Sequence, residues 1–166
     1  MTKRFRSANI HEGMLRAPTR AFLHALGQDD DEIARPHIGV FHTGGEMSPC
    51  NMLLRDQALH AKTGIYAAGG MPHECPVASV SDGLSIAHSG MRFSLVSREI
   101  IADSVEAMMH AERLDAFVSF AGCDKSLPGM LMAAARINLP SVFVYGGSIM
   151  PGEHTDGSKL DIVSVF

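Results

Sequence analysis

Apolar and polar positions divide the chain into alternating strands and helices. After a mixed polar segment over residues 1–35, the apolar run HIGVFHT begins at residue 37 and predicts a buried strand. Leucines and alanines at helical spacing predict a helix over residues 52–64, with Ser48 or Asn51 as its cap and Gly64 as its end. A short strand is expected around residues 77–80.

The second half of the chain repeats this alternation. The clearest helix covers residues 97–114, where Ser97 is placed to cap it. Its apolar stripe consists of Ile100, Ile101, Val105, Met108 and Met109. A strand over residues 115–122, a helix over 126–138 and a strand over 140–147 follow. The order predicts an α/β fold, namely a layered α/β/α domain with a largely parallel central sheet.

The segment before the first strand carries weaker patterns. Residues 18–27 could hold a short helix, and residues 28–36 form an acidic segment that we expect to be solvated. Basic residues cluster over residues 2–20. This stretch is either a flexible arm on the surface or an arm that docks on a partner subunit.

Composition excludes several classes of protein. The chain has 166 residues, 46% of them hydrophobic and 19% charged, which suits one domain with a real core. A net charge of -4 and scattered basic residues argue against a nucleic-acid partner. No apolar run has the length of a membrane span, and no apolar core follows the N-terminal charges as in a secretory signal.

The three cysteines, Cys50, Cys75 and Cys123, are odd in number and widely spaced. They argue against a disulfide framework and for a reducing compartment, so we expect a cytoplasmic protein. Cys50, Asp82 and Cys123 each fall where a strand is expected to lead into a helix, the usual place for ligands in α/β folds. A thiol there feels the positive end of the helix, which favours the metal-binding thiolate.

Each of these residues also has a plainer interpretation. A single cysteine is usually a packed small side chain, and Cys75 is expected to be structural. A zinc site built from the three cysteines and a histidine is an alternative, although the close ligand pairs typical of zinc are absent. Asp82 precedes a glycine and could be a turn residue, and Asp124 could simply stabilise a helix start.

Lys125 fits such interpretations poorly. A cation in the first turn of a helix is unfavourable unless it has an anionic partner or a modified nitrogen. Thiolates select iron–sulfur groups or other soft metals, whereas carboxylates select magnesium. Thiol and carboxylate at consecutive positions therefore suggest two different metal centres that face one pocket.

Four sequence blocks, PCN, VSDG, SREIIADSVE and GCDKSLPGM, occur in this order. Over residues 37–147 the chain resembles the dihydroxy-acid dehydratase family, which includes phosphogluconate and sugar-acid dehydratases. The resemblance implies that Cys50 and Cys123 are two of three cysteine ligands of an iron–sulfur cluster. It implies that Asp82, Asp124 and a carbamylated Lys125 bind Mg²⁺. The cluster would be two-iron or four-iron with one open iron, and we favour the two-iron form.

The resemblance also implies a reaction and a domain organisation. The reaction would be the loss of water from a 2,3-dihydroxy acid to give a 2-keto acid in valine and isoleucine biosynthesis, with a sugar-acid or phosphogluconate dehydratase as the alternative. We expect residues 1–35 to form an arm and residues 36–166 an incomplete metal-cluster-binding domain. The third cysteine, the base, a further Mg²⁺ ligand and a β-rich domain would lie downstream in a longer, homodimeric enzyme. We expect the 166-residue chain alone to be inactive, or to be a non-catalytic metal-binding or dimerisation module.

Overall fold

The computed structural model describes residues 4–164, which centre on a four-stranded parallel sheet. Its strands are β1 (His37–His42), β2 (Met71–Pro76), β3 (Ala116–Ala121) and β4 (Ser141–Tyr145), in the order β2-β1-β3-β4. All three neighbouring pairs are parallel. The α/β prediction is thereby confirmed.

The second strand lies earlier in the chain than expected. The prediction of a strand around residues 77–80 is wrong, because β2 pairs with β1 from Met71 to Pro76. One further backbone bond joins Val77 N to His42 O at 2.9 Å. Since β1 ends at His42, the residues after Val77 have no strand beside them within residues 4–164.

Helices cover both faces of the sheet. Helix α4 (Leu54–Ala67) joins β1 to β2, α5 (Asp82–Ser85) and α6 (Arg92–Ala111) join β2 to β3, and α7 (Ser126–Ile137) joins β3 to β4. The three short helices before the sheet are α1 (Ala8–His11), α2 (Ala17–Ala25) and α3 (Asp30–Ile33). The helices expected over residues 18–27, 52–64, 97–114 and 126–138 are therefore present, with shifted ends.

Several expected helix ends are wrong. Helix α6 begins at Arg92, so Ser97 lies inside it and donates its hydroxyl to Ser94 O at 2.7 Å. The predicted caps of α4, Ser48 and Asn51, do not cap it, and the helix continues through Gly64 to Ala67. The chain turns instead at Gly69, whose φ of +82° is the left-handed conformation that glycine tolerates.

The acidic segment before β1 is ordered rather than merely solvated. Asp29 accepts a hydrogen bond from Glu32 N at 2.8 Å, and the Glu32 carboxylate accepts one from Asp29 N at 3.1 Å. This reciprocal capping starts α3 and places Ile33 in the interior, where it is 2% exposed.

The core has two parts because consecutive strand residues face opposite sides of the sheet. Phe41 lies under α6 and α7, where it meets Phe117 edge-on with ring centroids 5.8 Å apart. Val40 lies on the other face with α4 residues Leu54 and Ala58. Of the predicted α6 stripe, only Ile100 is half exposed; the other members pack on this core.

This arrangement opens a crevice between β1 and β3. The two strands are neighbours, but the chain leaves β1 toward α4 on one face and leaves β3 toward α7 on the other. Such a reversal separates the loops at the carboxyl ends of the strands and is the usual ligand position in α/β sheets.

Beyond β4 the chain forms a short antiparallel hairpin from β5 (Gly152–Glu153) and β6 (Lys159–Leu160). Among residues 4–164, no helix combines the length and the apolar character needed to cross a membrane.

Candidate metal centre

Two cysteine-bearing loops meet in the crevice between β1 and β3. Cys50 lies in the 3-10 turn Pro49–Asn51 that precedes α4, and Cys123 lies between β3 and α7. Gly122 allows the two loops to touch, because a Cβ there would overlap the carbonyl oxygen of Cys50 and lie 3.0 Å from its carbonyl carbon. The sheet therefore brings together two thiols that are far apart in sequence.

A buried serine hydroxyl joins the two thiols. Ser48 Oγ lies 2.9 Å from Cys50 Sγ and 3.8 Å from Cys123 Sγ. Burial raises the pKa of the Cys50 thiol, and the neighbouring Cys123 raises it further. The expectation that a helix N-terminus lowers this pKa is wrong for Cys50, because its 3-10 turn precedes α4 and desolvation dominates.

The loop that carries Cys50 is fixed at its base by a buried histidine. His42 Nδ1 accepts a hydrogen bond from Gly44 N at 3.1 Å, so its Nε2–H donates to Glu74 Oε1 at 3.2 Å. Arg55 Nε donates to the same carboxylate oxygen at 2.9 Å. This network ties the end of β1 to the end of β2 just before the cysteine loop.

A second polar group faces the same crevice. Asp82 is 8% exposed at the start of α5, and its Oδ2 accepts from Lys125 Nζ at 2.6 Å. The Ser94 hydroxyl on α6 donates to Asp82 Oδ1. Of the two alternatives expected for Lys125, an anionic partner or a modified nitrogen, the first is present as a residue 43 positions earlier in the chain.

This ion pair sets the charges of both groups. Burial favours a higher pKa for Asp82, but the hydrogen bonds from Lys125 and Ser94 outweigh it and lower the pKa of Asp82. The hydrogen bond to Asp82 raises the pKa of Lys125, and the charge of Asp124 adds to this effect. At neutral pH the site therefore holds an ionised carboxylate and an ammonium group.

All five predicted site residues line one open cavity of about 680 Å³. They are Cys50, Asp82, Cys123, Asp124 and Lys125. Much of the remaining wall is apolar and includes Leu84, Ile86, Met91, Leu127 and Ile149. The expectation that thiols and carboxylates face one pocket agrees with this geometry.

Cys75 lies elsewhere, on β2 beneath the α6 side of the sheet. It is 5% exposed, its thiol donates to His73 O at 3.4 Å, and burial raises its pKa to about 11. Its packing agrees with the structural role expected for it and gives no support to a site formed by all three cysteines.

Within residues 4–164, no group of three or more His, Cys, Asp or Glu side chains is arranged to hold a metal ion. The donor types still fit the two expected groups: two neighbouring sulfurs suit an iron–sulfur group, and carboxylate oxygens suit Mg²⁺. These residues supply part of each ligand set.

Sequence reasoning missed three residues of this site. Ser48 was expected to cap α4, although its position two residues before Cys50 was a usable signal. Gly122 directly precedes Cys123, and its need for close approach could have been suspected. Ser94 left no signal, because its contact with Asp82 joins two elements that only the folded chain brings together.

Comparisons with known proteins bear on this site. The family model described as "Dihydroxy-acid/6-phosphogluconate dehydratase N-terminal" matches residues 35–166. Curated relatives named "Dihydroxy-acid dehydratase" are 53% identical in Mycobacterium bovis over 96% of this chain and 53% identical in Nocardioides sp. over 97%. A relative of the same name in Natronomonas pharaonis is 52% identical over 99%. In each case the chain spans 28% of the relative's length.

Proposed function

The chain belongs to the dihydroxy-acid and 6-phosphogluconate dehydratase family, and from this premise we propose that it supplies metal ligands and a substrate pocket to a hydro-lyase. The reaction would remove water from a 2,3-dihydroxy acid and leave a 2-keto acid. The observation that carries the proposal is the meeting of two thiols with an Asp–Lys pair in one cavity.

We assign Cys50 and Cys123 as two ligands of an iron–sulfur cluster, with the two-iron form favoured. Both sulfurs contact the same Ser48 oxygen, so one metal group could reach both. Burial raises the pKa of the Cys50 thiol, and binding of a soft metal would supply the energy needed to remove its proton. Other ligands would come from outside residues 4–164.

Asp82, Asp124 and a carbamylated Lys125 are the proposed Mg²⁺ ligands. The lowered pKa of Asp82 keeps its carboxylate ionised, as a hard cation requires. The ammonium of unmodified Lys125 occupies Oδ2 of Asp82 and competes with a metal for that oxygen. A carbamate would replace this cation with an anion and turn a closed ion pair into a pair of oxygen donors.

When bound, the cluster would act as a Lewis acid toward the departing hydroxyl, and Mg²⁺ would offset charge on the substrate. The chain's own residues would hold and shape the site. Ser94 fixes one oxygen of Asp82 and leaves the other directed at Lys125. Gly122 lets the two cysteine loops approach without a side chain between them.

The cavity wall favours a branched aliphatic substrate, as valine and isoleucine precursors would be. Leu84 and Ile86 are 57% and 59% exposed at its edge, and Met91 and Leu127 also line it. Ser81, Tyr145 and Ser148 also line the cavity, but a polyhydroxy or phosphorylated acid would still place much of its polar surface against apolar side chains. Within the described part of the chain, Lys125 is the one cationic side chain lining this cavity, and it already pairs with Asp82.

Metal binding by the thiol pair can be tested on the 166-residue chain with Cd²⁺ as a soft probe under anaerobic conditions. Titration should show sulfur-to-metal charge-transfer absorbance that disappears in Cys50→Ala and in Cys123→Ala. Cys75→Ala is the matched control and should bind Cd²⁺ like the parent, because its thiol lies in the core. Binding that is unaffected by loss of either Cys50 or Cys123 would refute the assignment.

Carbamylation of Lys125 can be tested with ¹³C-labelled bicarbonate and NMR. The ion pair with Asp82 raises the pKa of Lys125 and opposes formation of the neutral amine that reacts with CO₂. A carbamate signal should therefore appear only with Mg²⁺ present, and Lys125→Arg should abolish it. Lys159→Arg, on β6, is the control. A signal that persists in Lys125→Arg contradicts the assignment.

A test of the proposed substrate and activity requires the remaining part of a family member. We propose a chimera in which this chain replaces the matching segment of the Mycobacterium bovis relative. The chimera should dehydrate 2,3-dihydroxyisovalerate in preference to gluconate, should lose activity with Cys123→Ala, and should be a homodimer. Preference for the sugar acid would favour the alternative within the family.

A further inference from the structure

A serine outside the proposed ligand set contacts both thiols. Ser48 is 4% exposed, and its Oγ lies 2.9 Å from Cys50 Sγ and 3.8 Å from Cys123 Sγ. Its backbone is extended at φ −145° and ψ 125°, and its carbonyl accepts Asn51 N at 2.9 Å. The turn that carries Cys50 therefore also orients the Ser48 side chain.

The Ser48 hydroxyl cannot donate a hydrogen bond to both sulfurs at once. It has one proton to donate and two lone pairs that accept. With both thiols protonated, the geometry fits a relay in which Cys50 S–H donates to Ser48 Oγ and the Ser48 hydroxyl donates to Cys123 Sγ. With both sulfurs bound to a metal, neither carries a proton, so the hydroxyl can donate to only one. The shorter distance selects Cys50.

We propose that Ser48 is a positioning residue for the thiol pair: it directs both sulfurs to one point and donates its proton to the Cys50 sulfur when a metal is bound. The inference rests on the proposed function and adds to it a residue that is not a ligand. A hydrogen bond to a ligand atom fixes its orientation and withdraws electron density from it. Loss of such a partner typically lowers metal affinity about 10–100-fold.

The test compares Ser48→Thr with Ser48→Val, which have the same shape and differ in the hydroxyl. Anaerobic Cd²⁺ titration of the 166-residue chain should give parent affinity for the threonine variant and affinity about tenfold weaker for the valine variant. Loss of the hydrogen bond should also move the sulfur-to-metal charge-transfer band to lower energy in Ser48→Val only, which a purely structural role would not do. Ser104→Ala, whose hydroxyl donates to Ile101 O on α6, should change neither.

The outcomes separate this inference from the proposed function. If Cys50→Ala and Cys123→Ala abolish Cd²⁺ binding while Ser48→Thr and Ser48→Val share one affinity and one band position, the role of Ser48 is refuted and the thiol pair stands. If Cd²⁺ binding survives both cysteine substitutions, the proposed ligand assignment fails first. Thermal unfolding without metal checks that both Ser48 variants are folded, and their common shape makes any packing change common to both.

Discussion

Gly122→Ala adds one methyl group at the point where the two cysteine loops cross. Its Cβ would overlap Cys50 O, lie 3.0 Å from the carbonyl carbon of Cys50 and lie 3.4 Å from Asn51 Oδ1. Carbon atoms pack at about 3.5–4.0 Å and the carbonyl oxygen overlaps outright, so the Cys50 backbone would have to withdraw by roughly 1 Å or more. Overpacking of this kind costs about 1–3 kcal/mol, and this obstacle is backbone rather than a flexible side-chain end.

Urea denaturation of the 166-residue chain, followed by circular dichroism, measures this cost. Gly64→Ala is the control, because its methyl would lie inside α4 with nothing within 4 Å. That change should raise the free energy of unfolding by about 0.5–1 kcal/mol, since alanine favours helix over glycine. Gly122→Ala should lower it by about 1–3 kcal/mol and should also weaken Cd²⁺ binding, because Cys50 moves away from Cys123.

A Gly122→Ala variant that is as stable as the parent and binds Cd²⁺ equally well would contradict this prediction. That result would mean that the loops separate without cost and that their close crossing does not hold the thiols together. A loss of stability with unchanged Cd²⁺ binding would support the overpacking at Gly122. It would contradict only the prediction that this overpacking displaces Cys50 and weakens metal binding.

Three further predictions concern the rest of the fold. Gly129→Ala should destabilise the chain by about 1–3 kcal/mol in urea denaturation, because its Cβ would lie 2.9 Å from Arg98 O between α7 and α6; unchanged stability would show that the helices part easily. Phe41→Ala should cost about 3–5 kcal/mol in the same assay, since Phe41 is 0% exposed, and a smaller loss would indicate collapse of the cavity. Burial and the neighbouring His37 lower the pKa of His73 to about 4, so the unfolded chain binds the extra proton as pH falls below about 6.5 and stability is lost down to about pH 4. His73 should account for about 2 kcal/mol of the loss in free energy of unfolding between about pH 7.5 and about pH 5, so His73→Gln should reduce this loss; an equal loss in both proteins contradicts the assignment.

Local patterns in the sequence were enough to predict most strands and helices of the fold. The apolar run of β1, the stripe of α6 and the alternation of strands with helices are repeats within one segment, so they can be recognised without knowing the neighbours. Helix ends were less predictable. Ser97 has the chemistry of a cap, but α6 begins at Arg92, directly after the 3-10 turn Ser89–Met91. The position of β2 depended on where β1 ends, which is a property of the pair.

For the candidate site, too, some features could be predicted from the sequence and others could not. Cys50, Cys123 and Asp82 could be selected from their places at strand ends, and the family resemblance assigned roles to Asp124 and Lys125; those roles stay proposals. The contacts among these residues could not be predicted from the sequence. Ser48 and Cys123 are 75 residues apart in the chain, and Asp82 and Lys125 are 43 apart.

Composition and short-range order thus determine which residues are available for chemistry and which element carries each one. The order β2-β1-β3-β4 decides which of them meet, because it makes β1 and β3 neighbours and sends their helices to opposite faces. The Ser94–Asp82–Lys125 contacts and the Cys50–Ser48–Cys123 contacts exist only through that packing. Hydrogen bonds act over about 3 Å, and the chain distances they bridge here have no trace in the local pattern of residues.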